Sequence, residues 1–192
     1  MGGAVLGGVG LILIIVLIGI VIAAFFVVGV YNNLQRLRVS TESALSGIDV
    51  QLKRRHDLVP NLVSTVQGYA AHEKGTLEAV IKARASAMSA GTVGEKAAAE
   101  GQLTGALGRL MAIAEAYPDL KANQNFLQLQ GELSNLENAI SGSRGGYNGS
   151  AGGFNSTLAQ FPANIIGGMF GFKAFEFFKA DEASREVPVV KF

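Results

Sequence analysis

No charged side chain occurs between Ala4 and Tyr31, and the centre of that stretch reads LILIIVLIGIVIAAFFVVGV. A helix that is apolar on every side needs lipid or protein around it, and roughly 20 such residues cross a hydrocarbon core. The stretch is read as an uncleaved transmembrane anchor. A cleaved leader would carry a basic segment ahead of a run of about 7 to 15 apolar residues and a small-residue cleavage site behind it, and none of these is present. Arg36 and Arg38 follow the span directly, with Lys53, Arg54 and Arg55 further on. The bias of basic residues towards the cytoplasmic side predicts a cytoplasmic C-terminal domain.

The remainder of the 192 residues suffices for one folded unit. The net charge is +1, too small for the dense basic face that nucleic acid requires, so nucleic acid is excluded as a partner. Cysteine is absent, which removes disulfides, thiolate metal sites and a cysteine nucleophile.

Beyond the anchor, Leu34, Leu45, Ile48, Leu52, Val59, Leu62, Val66 and Tyr69 recur at helical spacing around the polar run KRRHD. The anchor is expected to continue into the domain as one rod, with a kink or restart at Pro60. A helix is then expected from Val63 to about Ser89, followed by a loop at SAGTVGE. A third segment, Glu95 to Tyr117, places Leu103, Leu107, Leu110, Ala114 and Tyr117 on one face. A fourth opens at Asp119, and Phe126, Leu129, Leu133, Leu136 and Ile140 give it the 3-4-3-4 rhythm of a coiled-coil or bundle helix. The expected fold is all-α: an N-terminal transmembrane helix continuing into an antiparallel bundle of three long helices. The domain limits are 1–31 for the anchor, 32–161 for the bundle and 162–192 for an aromatic-rich C-terminal element.

Residues 141–155, SGSRGGYNGSAGGFN, have the composition of a linker. The column Phe126, Leu133, Ile140 nevertheless continues in sevens to Tyr147, Phe154 and Phe161, with Ala151 and Leu158 at the half-steps and only Arg144 polar. Gly142, Gly145, Gly146, Gly149, Gly152 and Gly153 fall on the opposite side at about 100° per residue. Two opposed stripes predict a helix. Each glycine costs about 0.8–1.0 kcal/mol against alanine there, so tertiary contacts have to compensate. Small residues four apart allow close backbone approach. Gly142, Gly145, Gly146, Gly149 and Gly153, with Gly101 and Gly105 of the third segment, are therefore expected to form contacts between helices or protomers.

Phe170, Phe172, Phe175, Phe177 and Phe178 crowd into nine residues near the end. They are candidates for contact with the membrane surface or a second protomer. A tail folded back onto the bundle core is the alternative, and VPVVKF is expected to be extended.

No catalytic, cofactor or metal site is read from the chain. His72-Glu73 is followed at position 76 by Thr, so HExxH is absent, and neither histidine belongs to a Glu-x-x-His pair. No phosphate loop or G-x-S-x-G elbow occurs. Glu73, Glu78, Glu132 and Glu137 read as surface charge. NGS and NST match the glycosylation sequon, but both fall on a predicted helix. Arg54, Arg55 and Asp57 are expected to pair across the bundle or fix the bend at Pro60. Lipid binding by that cluster is disfavoured, since it stands roughly 30 Å beyond the span on a straight helix.

The run DVQLKRRHDLVPNLVSTVQGYAAHEKGTLEAVIKARASA, the segment AEAYPDLKANQNFLQLQGELSNLENAI, and YN ahead of FP-NII---FGFK---FF-A and P-V-F resemble the LemA family. The resemblance spans Tyr31 to Phe192. It implies a single-pass protein of the bacterial inner membrane with a domain of long antiparallel helices and no established reaction. A LemA-like protein takes part in forming magnetosome membranes, which implies membrane organisation for some members. Relatives place charged and alanine-rich helix formers where this chain has its glycine face, so that face is particular to this chain. The function read from all this is a membrane-anchored, self-associating scaffold, not an enzyme, that organises the membrane or recruits partners. Membrane lipids and a homo-oligomer are the expected partners, with a further protein partner unidentified. The alternative is an accessory or signalling subunit of a membrane protease or phosphatase system.

Overall fold

The computed structural model of the chain describes residues 2–178, with side chains from residue 10 onward. Among the described residues there are six helices and no strand: α1 (Gly2–Gln67), α2 (Lys74–Ser89), α3 (Val93–Ala116), α4 (Pro118–Lys121), α5 (Gln124–Ala159) and α6 (Ala163–Met169). The VPVVKF segment lies outside the described residues. The described residues form two compact units, one from residues 2–41 and 152–175, the other from residues 42–151 and 176–178.

α1 is one helix of 66 residues with Pro60 inside it, so the restart expected at Pro60 does not occur. Proline lacks an amide proton, which leaves the carbonyl of residue 56 without its helical donor. Arg84 of α2 supplies a replacement, its Nε donating to the His56 carbonyl oxygen at 2.7 Å. With that carbonyl satisfied, the helix runs on for two more turns.

The expected helix from Val63 to Ser89 is in fact divided at residues 68–73. The Tyr69 and Ala70 amides both donate to the Val66 carbonyl, at 3.0 and 2.8 Å, and turn the chain. Ala70 is fully buried at the turn, and Tyr69 Oη accepts a hydrogen bond from Asn123 Nδ2. The reversal allows α2 to bury Leu77, Val80, Ala83 and Ala87 in the same core as Leu58, Val59, Leu62 and Val66. α3 starts at a reciprocal cap: the Glu95 amide donates to Thr92 Oγ1 at 3.2 Å, and Thr92 N–H donates to Glu95 Oε2 at 3.0 Å. Backbone amides of Thr92 and Gly91 hold the Glu95 carboxyl below its ordinary range.

The fourth expected segment is split as well. α4 is a single turn begun by Pro118, and α5 opens only after Asn123, whose Oδ1 accepts the Phe126 amide at 3.0 Å. α5 then continues without interruption through the glycine-rich stretch. Phe126, Leu133, Ile140, Tyr147 and Phe154 are buried along it, as the seven-residue register predicts. Phe161 leaves that register because α5 ends at Ala159, and the ring is exposed.

The larger unit has its core among α1, α2, α3 and α5, from Leu58 to Leu136, with Leu120 of α4. The smaller unit is centred on Leu34, Phe154 and Ala163, with Val30, Leu37, Leu158, Phe172 and Phe175 packed around them. Among the described residues one helix, α1, is long and apolar enough to cross a membrane, and its side chains from Leu11 to Val28 are exposed apart from the half-buried Val27.

Candidate functional site

The core face of α1 repeats every three or four residues through Leu45, Ile48, Leu52, Val59, Leu62 and Val66, and position 55 fills the one gap in that rhythm. Its occupant is Arg55, which is fully buried. On α3 the series Leu103, Leu107, Leu110, Ala114 extends back by three to Glu100, which is 1% exposed. These two core positions face each other. Arg55 Nη1 donates to Glu100 Oε2 at 3.1 Å, and Nη2 donates to Thr104 Oγ1 at 2.7 Å and forms an ion pair with Glu137 Oε1 of α5 at 2.8 Å. His56 Nε2 lies 2.6 Å from the other Glu100 oxygen. Thr104 in turn donates to the Glu100 backbone carbonyl.

Burial lowers the Arg55 pKa, Glu137 and Glu100 act against that, and Arg144 adds to it. A guanidinium remains charged at neutral pH even so. The result is a compact charged layer joining three helices, in which each carboxylate already has a cationic partner. Such a layer contributes little net stability compared with apolar residues, but breaking it exposes an uncompensated buried charge at about 3–5 kcal/mol. It fixes the register of α1 against α3 and α5, because another register would strand those charges. Nearer the surface, Lys53 and Lys96 pair with Asp57 and Asp49 beside an open cleft of about 340 Å³ that His56 also lines. Lys53 holds the Asp57 carboxyl below its ordinary range.

Charge alone marks neither Arg55 nor Glu100 as core. Of Arg54, Arg55 and Asp57, for which pairing across the bundle or fixing the bend at Pro60 is the expectation, Arg55 pairs across the bundle, whereas Asp57 pairs with Lys53 of its own helix; Glu137, with its side chain 37% exposed, stands at the edge of the layer. The seven-residue gap between Leu52 and Val59 and the position of Glu100 three before Leu103 are the signals that mark Arg55 and Glu100 as core.

The two sequon asparagines have a different role. In the larger unit Asn148 Nδ2 donates to the Phe178 carbonyl at 2.8 Å, and the Phe178 amide donates to Asn148 Oδ1 at 2.9 Å. Tyr147 Oη donates to the Glu176 carbonyl at 2.7 Å. The Phe178 ring packs edge-on against Tyr147 and lies 5.5 Å from the Arg144 guanidinium. In the smaller unit Asn155 pairs in the same two-bond fashion with the backbone of Phe175. A side-chain amide has the donor and acceptor of a peptide group, so each asparagine satisfies both backbone polar groups of the residue it meets.

The five candidate phenylalanines therefore divide. Phe178 is buried in the clamp, Phe172 and Phe175 pack on Phe154, and Phe170 and Phe177 are exposed. The candidate glycines behave otherwise. A Cβ added at Gly105, Gly142, Gly145, Gly146, Gly149 or Gly153 would meet nothing within 4 Å. Gly101 is partly exposed next to Glu100 on α3. Among the described residues, nothing approaches α5 within 4 Å of a Cβ at Gly142, Gly145, Gly146, Gly149 or Gly153.

The model of the LemA family matches residues 44–192. The chain belongs to the LemA family. The matched region holds the whole charged layer, the Tyr147–Asn148 clamp and the segment it grips, whereas the apolar first part of α1 precedes it. This LemA-family chain is similar to magnetosome proteins MamQ 1 and MamQ 2 of Paramagnetospirillum magneticum and to magnetosome protein MamQ of Magnetospirillum gryphiswaldense. Each is 26% identical, over 83% of this chain and 68% of the relative.

Proposed function

We propose that this LemA-family chain is a membrane-anchored helical scaffold that self-associates and organises the membrane or recruits partners there. The observation that carries the reading is the exposed apolar surface of α1 from Leu11 to Val28, which only lipid or other apolar chains can cover. Similarity to magnetosome proteins supports a role at a membrane. Arg36 and Arg38 favour a cytoplasmic domain, and with it the bacterial inner membrane as the site of action. Self-association is assigned to the open glycine face of α5, where a second backbone can approach closely.

Light scattering on the full chain in mild detergent tests this. A discrete assembly is expected, and joint replacement Gly146→Leu and Gly149→Leu is expected to reduce it to smaller species without unfolding the helices. A monomer from the unaltered chain overturns the scaffold, and a monomer that co-purifies with another membrane protein assigns it the accessory role instead.

A further inference from the structure

The smaller unit sets α6 directly against α1 just past the charge-free run. Ala163, Ile166 and Gly167 of α6 are its buried residues, Ala163 packs in the core with Leu34, and a Cβ at Gly167 would lie 3.6 Å from Leu34 Cδ1. The Tyr31 ring stands 4.9 Å from the ring of Phe170 and 5.7 Å from that of Phe172. Four large apolar side chains of this element are left uncovered: Phe161 is 80% exposed, Ile165 55%, Met169 76% and Phe170 55%. Single exposed hydrophobes are ordinary, but a group of four on one short element calls for a partner. From Gly145 to Phe172 there is no charged residue, and the first cation afterwards is the exposed Lys173.

We infer that Phe161, Ile165, Met169 and Phe170 form a second, interfacial membrane contact, lying in the headgroup boundary of the same bilayer that α1 crosses. The inference rests on the anchor proposed above. Its occupant follows from continuity: the exposed apolar surface of α1 leads through Phe25, Phe26 and Val28 to Tyr31, and the Phe170 ring touches Tyr31. Helical rise puts Val30 roughly 30 Å from Leu11, one hydrocarbon thickness, so Tyr31 falls at the boundary where tyrosines concentrate. Arg36 and Arg38 follow one to two turns later, at the height of lipid phosphates. An apolar face bordered by cations beside a transmembrane helix matches the chemistry of an interfacial element. Phe172, Phe175 and Phe178 take no part, because they are half-buried or buried against Phe154 and Tyr147.

The absence of cysteine makes the test direct. Single variants Ile165→Cys, Met169→Cys, Val21→Cys and Lys121→Cys are labelled with a small fluorophore and the full chain is reconstituted into phosphatidylcholine–phosphatidylglycerol vesicles. All four positions are solvent-facing in the fold, so the labels leave packing intact. Lipid brominated near the top of its acyl chains is expected to quench labels at 165 and 169 several-fold more than the label at 121, and aqueous iodide the reverse. Iodide reaching 165 and 169 as freely as 121 overturns the inference. Protection of 165 and 169 from both quenchers overturns it in favour of a second copy of the chain over this face. A label at 21 that is quenched by brominated lipid while 165 and 169 are not removes only the interfacial contact; a label at 21 that is not quenched removes the anchor itself.

Discussion

The unit built around residues 42–151 buries charge, with Arg55 and Glu100 at positions where the helical rhythm calls for leucine. The unit of residues 2–41 and 152–175 buries rings and aliphatic chains: Phe154 meets Phe175 edge-on at 5.1 Å and packs with Leu34 and Ala163. Area burial tolerates small shifts, since any apolar neighbour will serve. Charge does not, since a hydrogen-bonded ion pair has one register in which every group is matched. The larger unit is thus specified by direction and the smaller one by shape. The largest effect that tests this difference is expected from Glu100→Ala, which leaves Arg55 and His56 without their shared carboxylate at a cost of about 3–5 kcal/mol. Joint replacement Arg55→Met, His56→Leu and Glu100→Leu is expected to return stability to near that of the parent or above it. Thermal unfolding in detergent reads both. A single Glu100→Ala change that leaves the melting temperature in place would show that the layer specifies nothing.

The next effect compares two glycines. At Gly167, in the smaller unit, an added Cβ would come within 2.3 Å of Leu158 Cδ1, the tip of a half-buried side chain, so Gly167→Ala turns Leu158 aside and is expected to lose part or all of the gain in helix propensity. At Gly146, in the larger unit, the same change meets open space and is expected to stabilise the chain by about 0.8–1.0 kcal/mol through helix propensity alone. The melting temperature of Gly146→Ala should therefore rise above that of Gly167→Ala. If Gly146→Ala lowers stability in the assembled protein while raising it in dissociated monomer, a second backbone lies on that face.

The long-range order of α5 was legible because seven-residue spacing of Phe126, Leu133, Ile140, Tyr147 and Phe154 survives the glycines, and burial follows that column rather than composition. Continuity of α1 past Pro60 was not, because the donor that rescues the His56 carbonyl comes from Arg84, 28 residues away. The break at 68–73 has one local sign, Gly68, since the residues after it contain no further breaker, and the turn is completed by the burial of Ala70. Arg55 and Glu100 were legible as positions but not as chemistry: their spacing marks core, while charge argues for surface unless a partner is known. Asn148 and Asn155 bind the backbone of a later segment, and backbone partners leave no pattern of residue types to read.

The smallest expected effect concerns the clamp on residues 176–178. Tyr147→Phe removes the hydrogen bond to the Glu176 carbonyl and keeps the ring that packs on Phe178, so it should cost about 0.5–1.5 kcal/mol at neutral pH. Burial pushes the Tyr147 phenol above its ordinary pKa, and Glu176 acts in the same direction. The folded state thus favours the protonated phenol, which alone can donate to a carbonyl. A group raised in the folded state contributes fully below its unfolded pKa, about 10 for tyrosine, and loses that contribution as pH rises through its folded value. The stability difference between parent and Tyr147→Phe should accordingly be constant up to about pH 10 and then shrink. The variant retains every other titrating group, so thermal unfolding of the pair across that range isolates Tyr147. A difference that grows with alkalinity would mean that the phenolate is stabilised in the fold, which a buried hydroxyl donating to a backbone carbonyl cannot produce.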